Sequence, residues 1–148
     1  MPPLVLYYGD MNYQITYTQI TSTSAVEDYV QKKIVSTLIK FADASGASSA
    51  WRLNIEIGRD TQHHRKGDVW FAEVTGETSY GFVRVRDEGS DIHEAIDLVE
   101  DDLRAKLTRS KGKLLARADR AARRVKNMIR LSRLARFFRR GRDREEGL

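Results

Sequence analysis

The chain has no cysteine and only two prolines, Pro2 and Pro3, among its 148 residues. Without cysteine there is no disulfide, thiolate ligand or thiol nucleophile, which fits a reducing cytosol. The prolines stiffen only a short lead-in. Long hydrophobic runs are missing too. The longest, Leu4 to Tyr8, falls far short of the roughly 20 residues that a membrane-spanning helix requires. No basic segment precedes it and no small-residue cleavage pattern follows, so no signal peptide is expected, and the compartment expected is the cytoplasm. No Walker loop, GxGxxG fingerprint or nucleophile elbow occurs. Of the three histidines, His63 and His64 are adjacent and point apart in extended chain, while His93 is remote in sequence. With no ordered carboxylate spacing beside them, a zinc site is not expected. Asp97, Glu100, Asp101 and Asp102 read as the solvated acidic face of a helix rather than paired general acids. Catalysis thus has no candidate constellation. No enzyme, no cofactor and no small-molecule substrate is expected.

What the chain does have is an uneven charge. Residues 1–110 hold 12 Lys and Arg against 17 Asp and Glu, a balance of −5. Residues 111–148 hold 14 against 4, a balance of +10. Eleven of those 14 cations are Arg, whose planar fork favours bidentate phosphate contacts. An acidic globule joined to a basic tail is the expected organisation, and phosphate of nucleic acid is the partner such a tail suits.

Periodicity supplies the elements. Residues 1–11 form a lead-in, of which Leu4–Tyr8 is expected to pair loosely with an edge strand. Asn12–Thr18 alternates as a strand, with Tyr13, Ile15 and Tyr17 on one face. Ser24 with Glu27 three residues on reads as a capping box. It opens a helix whose stripe is Val26, Val30, Ile34, Leu38 and Phe41, ending near Lys40. Lys32, Lys33 and Lys40 lie off that stripe. Trp51, Leu53, Ile55 and Ile57 alternate as the next strand, and Val69–Thr75 is rich in β-formers. Between these strands, "GRDTQHHRKGD" predicts a long hairpin loop with Arg59, His63, His64, Arg65 and Lys66 at one exposed tip, which is either a solubilising loop or an anion-contacting finger. Phe82–Asp87 is a fourth strand, with Val83 and Val85 inward and Phe82, Arg84 and Arg86 outward. Phe71 and Phe82 are candidate stacking platforms on the open sheet face. Ser90 is the expected cap of a second helix, with the stripe Ile92, Ala95, Ile96, Val99, Leu103 and Leu107. The order β-α-β-β-β-α predicts an α+β sandwich over residues 12–110: a four-stranded sheet with two helices on one face.

Beyond it, residues 111–148 read as a basic, helical C-terminal extension. Arg109, Lys111 and Lys113 lead into it. Arg117, Arg120, Arg124, Arg130 and Arg133 lie away from its apolar face. Gly112 is either passed through by one continuous helix or serves as a hinge.

Three segments resemble the ribosome hibernation-promoting factor and ribosome-associated inhibitor family: "YVQKKI" (Tyr29 to Ile34), "HHRKGDVWFAEV" (His63 to Val74) and "EAIDLVEDDLRAKLTRSKGK" (Glu94 to Lys113). The likeness covers about residues 12 to 113 in the same element order. Ala72-Glu73 and Ala95-Ile96-Asp97, followed by Asp101, Leu103 and Leu107, carry it best. The resemblance implies a fold like that of double-stranded-RNA-binding domains and a function without chemistry. The domain would wedge between head and body of the small ribosomal subunit, excluding mRNA and tRNA and keeping the idle ribosome protected. It also implies that Lys33 in the first helix and Arg109, Lys111 and Lys113 in the second contact ribosomal RNA. Departures are Asp102 where Lys is common, His93 where Tyr is common, and the acidic globule. The tail has neither the length nor the strand pattern of the dimerisation domain in long family members, so the chain resembles a short form with its own extension.

The RNA-contacting residues expected are therefore Lys32, Lys33, Lys40, His64, Arg65, Lys66, Arg109, Lys111, Lys113, Arg117, Arg120, Arg124, Arg130 and Arg133. The partner expected is the small ribosomal subunit, its RNA and its proteins. The alternative is a peripheral membrane or partner-binding protein that uses the amphipathic tail, with Leu131, Leu134, Phe137 and Phe138 inserting.

Overall fold

The structure is a computed structural model that describes the backbone of residues 4–60 and 69–142, with side chains over 9–60 and 69–137. The chain divides into two compact units, Met1–Ser110 and Lys111–Leu148.

In the first unit, five strands form one sheet in the order β1-β2-β3-β4-β5: Leu4–Tyr8, Met11–Thr18, Arg52–Asp60, Val69–Thr78 and Gly81–Gly89. Strands β2 and β3 run parallel, and the other neighbours are antiparallel. A parallel pair needs a crossover. Here it is a helical rod made of α1 (Ser24–Val30), a π-helical turn (Gln31–Val35) and α2 (Ser36–Ser45). The final element, α3, runs over Ile92–Arg142 and passes through Gly112 without a break. The expected elements are all present in order. Leu4–Tyr8, expected as a loose lead-in, is a regular fifth strand paired residue for residue with β2.

Alternation decides which sheet face is buried. The register aligns Ile15, Ile55, Val74 and Val85 in one row across four strands. All four are buried. Against that face pack Val30, Ile34 and Leu38 from the rod and Ile96, Val99 and Leu103 from α3, each wholly removed from water. Both helical stripes are thus the core-facing ones. The π-helical turn inserts a residue into the repeat, and both Ile34 and Val35 are buried within it.

Several boundaries differ from the sequence reading. The cap of α1 is Thr23, whose hydroxyl accepts from the Val26 N–H at 3.4 Å, and Ser24 is already helical. Glu27 instead accepts from the Ser22 hydroxyl. The rod continues past Lys40 to Ser45, where Gly46 ends it in the left-handed region at φ 66°. The cap of α3 is Asp91 rather than Ser90. Its carboxylate accepts from the N–H groups of His93 and Glu94 at 2.8 and 2.9 Å. The central hairpin is narrower than expected. Gly58, Arg59 and Asp60 are paired in β3, opposite Phe71, Trp70 and Val69. A side chain at Gly58 would meet the Phe71 ring at 2.7 Å, so this glycine admits the ring rather than breaking the strand.

Among the described residues, every member of the hydrophobic core lies at or before Leu107. A chain ending at Ser110 is therefore expected to fold cooperatively, with a melting temperature close to that of the full chain. A thermal scan of that truncated protein showing no transition would place essential contacts in the tail.

Candidate nucleic-acid interface

The cations expected to contact RNA do not share one environment. Lys32 and Lys40 are exposed on the rod. Lys33 is half-buried and already engaged. Its ammonium lies 3.1 Å from Asp97 and 3.6 Å from Glu100, both on α3, and 5.7 Å from the centre of the Tyr29 ring. Tyr29 donates to the same Asp97 at 2.8 Å, and Thr37 donates to Glu100 at 3.3 Å. Arg104 also pairs with Glu100, one turn along α3. Residues 29, 33 and 37 follow one edge of the rod at four-residue steps, so the two helices are tied by a polar seam.

This corrects the reading of the acidic cluster. Asp101 and Asp102 are exposed, but Glu100 is only 8% exposed and Asp97 is half-buried. Burial alone pushes the Asp97 carboxyl up. Hydrogen bonds from Tyr29 and Lys33 outweigh that and hold it below the usual range. The hydrogen bond with Asp97 raises the Lys33 pKa and, likewise, that of Tyr29. The signs set a pH window. The depressed Asp97 adds stability above its unfolded pKa that is lost as pH falls through the folded value. The raised Lys33 adds stability below its unfolded pKa that is lost as pH rises through the folded one. Lys33→Ala is expected to lower the melting temperature at neutral pH and to narrow its gap from wild type at both extremes. An unchanged melting temperature at pH 7 would show that the seam contributes nothing.

A second group of cations joins the expected Arg109 to Arg84, Arg86 and Lys106, which were not among the expected RNA contacts. A cleft of about 300 Å³ between β5 and α3 is lined by Arg84, Val85, Arg86, Asp102, Lys106 and Arg109. Lys106 donates to the Arg84 carbonyl at 2.6 Å, holding α3 against the free edge of β5. Arg109 is exposed, and its guanidinium Nε donates to the Ala105 carbonyl one turn back. The only sequence signal for this cleft was the outward alternation of Arg84 and Arg86. Arg109 was expected at the end of the second helix, whereas Lys106 comes to the cleft by helical geometry that no local pattern announces.

On the open sheet face, Arg84 and Arg86 both reach Glu73, at 3.1 and 3.3 Å. Burial raises the Glu73 pKa, but the Thr75 and Arg86 hydrogen bonds and both arginine charges bring it below the ordinary value. Phe71 is not a stacking platform. It is 4% exposed, pressed on Gly58 and covered by the Arg86 guanidinium 4.0 Å from its ring centre. Phe82, 60% exposed, remains open. Arg59, expected at the hairpin tip, lies in β3 with its guanidinium 5.7 Å from the Trp70 ring. His63, His64, Arg65 and Lys66 lie outside the described residues. His93 is exposed and meets Tyr29 edge-on at 4.7 Å. Among the described residues no group of His, Cys, Asp or Glu could hold a metal ion.

In the second unit, Lys111 is half-buried, whereas Lys113, Arg117, Arg120, Arg124, Arg130 and Arg133 are exposed along the helix. So are apolar residues, among them Leu115, Val125, Met128 and Leu131. No helix among the described residues is long and apolar enough to cross a membrane.

The first unit is a mixed five-stranded sheet with two helical elements packed on one face. Residues 13–115 match the family described as Sigma 54 modulation protein / S30EA ribosomal protein, and the chain belongs to that family. Among solved structures, a ribosomal subunit interface protein from Coxiella burnetii is similar at a TM-score of 0.51 and 13% identity, covering 68% of this chain and 97% of its own. That likeness is one of fold. The Protein Y N-terminal domain of Thermus thermophilus is 25% identical at a TM-score of 0.47, covering 64% of this chain and 93% of its own. No curated protein matches the sequence.

Proposed function

We propose that the protein is a cytoplasmic ribosome hibernation factor. It occupies the mRNA and tRNA channel of the small ribosomal subunit, blocks translation and protects the idle ribosome. The observation that carries this reading is the family match, which runs from Tyr13 in β2 to Leu115, just inside the basic extension. The chemistry agrees with a steric role: exposed cations, a rigid core and no catalytic group among the described residues.

In this reading the exposed Lys32 and Lys40, the hairpin residues His64, Arg65 and Lys66, and Arg109, Lys111 and Lys113 meet ribosomal RNA. Arg117, Arg120, Arg124, Arg130 and Arg133 anchor the tail to phosphate. Lys33 serves the interhelical seam first, because two carboxylates already neutralise it. Arg84 and Lys106 join the interface through their cleft. The test is sedimentation with separated subunits. The protein is expected to travel with small subunits, to be displaced by mRNA with tRNA, and to inhibit translation in proportion to occupancy. Equal binding to both subunits, or binding indifferent to mRNA and tRNA, would contradict it.

A second reading has one observation in its favour. Leu131, Leu134 and Phe137 are 65%, 49% and 81% exposed on the tail, as an interfacial membrane helix requires. Sedimentation with anionic liposomes separates it. Phe137→Ala with Phe138→Ala would abolish liposome binding and leave ribosome binding largely unchanged.

A further inference from the structure

The tail lies almost wholly beyond the family-matched residues 13–115, and it carries a pattern that phosphate contact does not require. Leu114, Ala118, Ala121, Val125, Met128 and Ser132 recur at alternating four- and three-residue steps. That is the spacing of the d and a positions of a coiled coil. Leu115, Ala122 and Ile129 each follow a d residue, at the e position. None of these nine positions carries a charge. Every Arg and Lys between Leu114 and Ser132 falls on the other positions of the heptad. The stripe is open to water in the single chain: Leu115 and Val125 are each 56% exposed, Met128 69% and Ile129 52%.

We propose that this stripe pairs with the same stripe of a second copy of the chain, as a parallel, in-register, two-stranded coil. A straight helix drifts by about 20° per heptad against a seven-residue repeat. Holding the stripe to that repeat suits a supercoiled partner helix. Orientation follows from charge. In a parallel pair each g position meets the e position five residues on in the other helix. Arg117 then faces Ala122 of the second copy, and Arg124 faces Ile129. In an antiparallel pair g faces g, and Arg meets Arg. Ala118 and Ala121 are small enough for close approach, and β-branched Val125 at an a position suits two strands. Arg120, Arg123 and Arg130 point away from the seam, so pairing leaves them free for phosphate.

The opposing force is the balance of +10 on residues 111–148 of each copy. Salt screens it, since the Debye length falls from about 8 Å at 0.15 M to about 3 Å at 1 M. Pairing therefore strengthens as salt rises, whereas phosphate binding weakens. The two uses of the helix are distinguishable by the sign of one dependence.

The experiment is analytical ultracentrifugation of the full chain over a range of concentrations, at low and at high salt, with no ribosome present. The expected result is a reversible dimer that tightens with salt. Val125→Arg is expected to weaken it by about tenfold or more. The melting temperature should hold, because among the described residues the buried core ends at Leu107. Arg123→Ala, off the seam, should leave the dimer intact. Because the chain has no cysteine, Ser132→Cys gives a single thiol at an a position. It should form a disulfide between copies on mild oxidation, and Arg130→Cys, on the outer side, should not. A monomer at every concentration and salt overturns the proposal. So does an association that weakens with salt, a dimer that survives Val125→Arg, equal cross-linking at both thiols, or a monomer whose stripe binds liposomes instead. Failure here leaves the ribosome-binding reading standing, because the assay contains no ribosome.

Discussion

Leu103→Ala is expected to destabilise the globule by about 2–5 kcal/mol. Leu103 is wholly buried on α3, within the cluster that joins both helical layers to the sheet. Truncating it removes transfer energy and leaves a cavity that a sheet and two helices cannot fully collapse to fill. Domains of this kind are stable by only about 5–15 kcal/mol, so the loss is a large fraction of the total. Leu98 is the control. It lies on the same helix but is 42% exposed, and its replacement by Ala should change stability by no more than about 0.5 kcal/mol. Chemical denaturation of the two variants tests the packing face directly. A cost below about 1 kcal/mol for Leu103→Ala would mean that α3 packs through another face.

Removal of residues 114–148 is expected to weaken ribosome binding and to flatten its salt dependence together. The globule is net acidic, with a balance of −5 over residues 1–110. The seam also consumes Lys33, which leaves few free cations on the helices. If the tail neutralises about five phosphates, it contributes roughly −3.5 to −4.5 to the slope of log affinity against log salt. Affinity and slope that both survive the truncation would contradict an anchoring role. Arg124→Lys and Arg133→Lys ask how the arginines act. Diffuse attraction tolerates Lys, but a bidentate contact loses its fork, so measurable loss from at least one is expected if the tail is ordered on RNA. Val125→Arg separates anchoring from self-association. It adds a cation while disrupting the seam, so the salt slope of ribosome binding should persist.

The fold was legible wherever a period ran long enough. Val30, Ile34 and Leu38, and Ala95 through Leu107, marked both core-facing stripes, because a buried helical face repeats regardless of partner. The ends were less legible, for local reasons. Ser22, Thr23 and Ser24 are all competent caps, and only geometry chooses Thr23. Ser90 and Asp91 compete in the same way. Gly58 and Gly76 look like breakers, yet both lie inside strands. At Gly76 a side chain would collide with the Arg52 carbonyl oxygen, so the glycine answers to a neighbouring strand that is distant in sequence. Leu4–Tyr8 is too short to declare a strand by itself, and β2 supplies the pairing.

The candidate site was legible as charge and illegible as pairing. Lys33 is off the apolar stripe by pattern, as an exposed cation is, but its two carboxylates lie more than 60 residues away on α3. Phe71 faces the open side of the sheet by alternation, yet its ring is closed off by Gly58 from one side and Arg86 from the other. Lys106 lies within the family-like segment Glu94 to Lys113, but nothing in that segment marks it as part of a cleft. Only the crossing of α3 with β5 places it beside Arg84.

A density map of the protein bound to its ribosome tests the central claim most directly. The account predicts the α+β globule in the mRNA and tRNA channel between head and body of the small subunit, with Lys32, Lys40 and Arg109 toward ribosomal RNA and the arginine helix following phosphate. Density for the globule on the large subunit, or on the outer surface of the small subunit with the channel open, would contradict it.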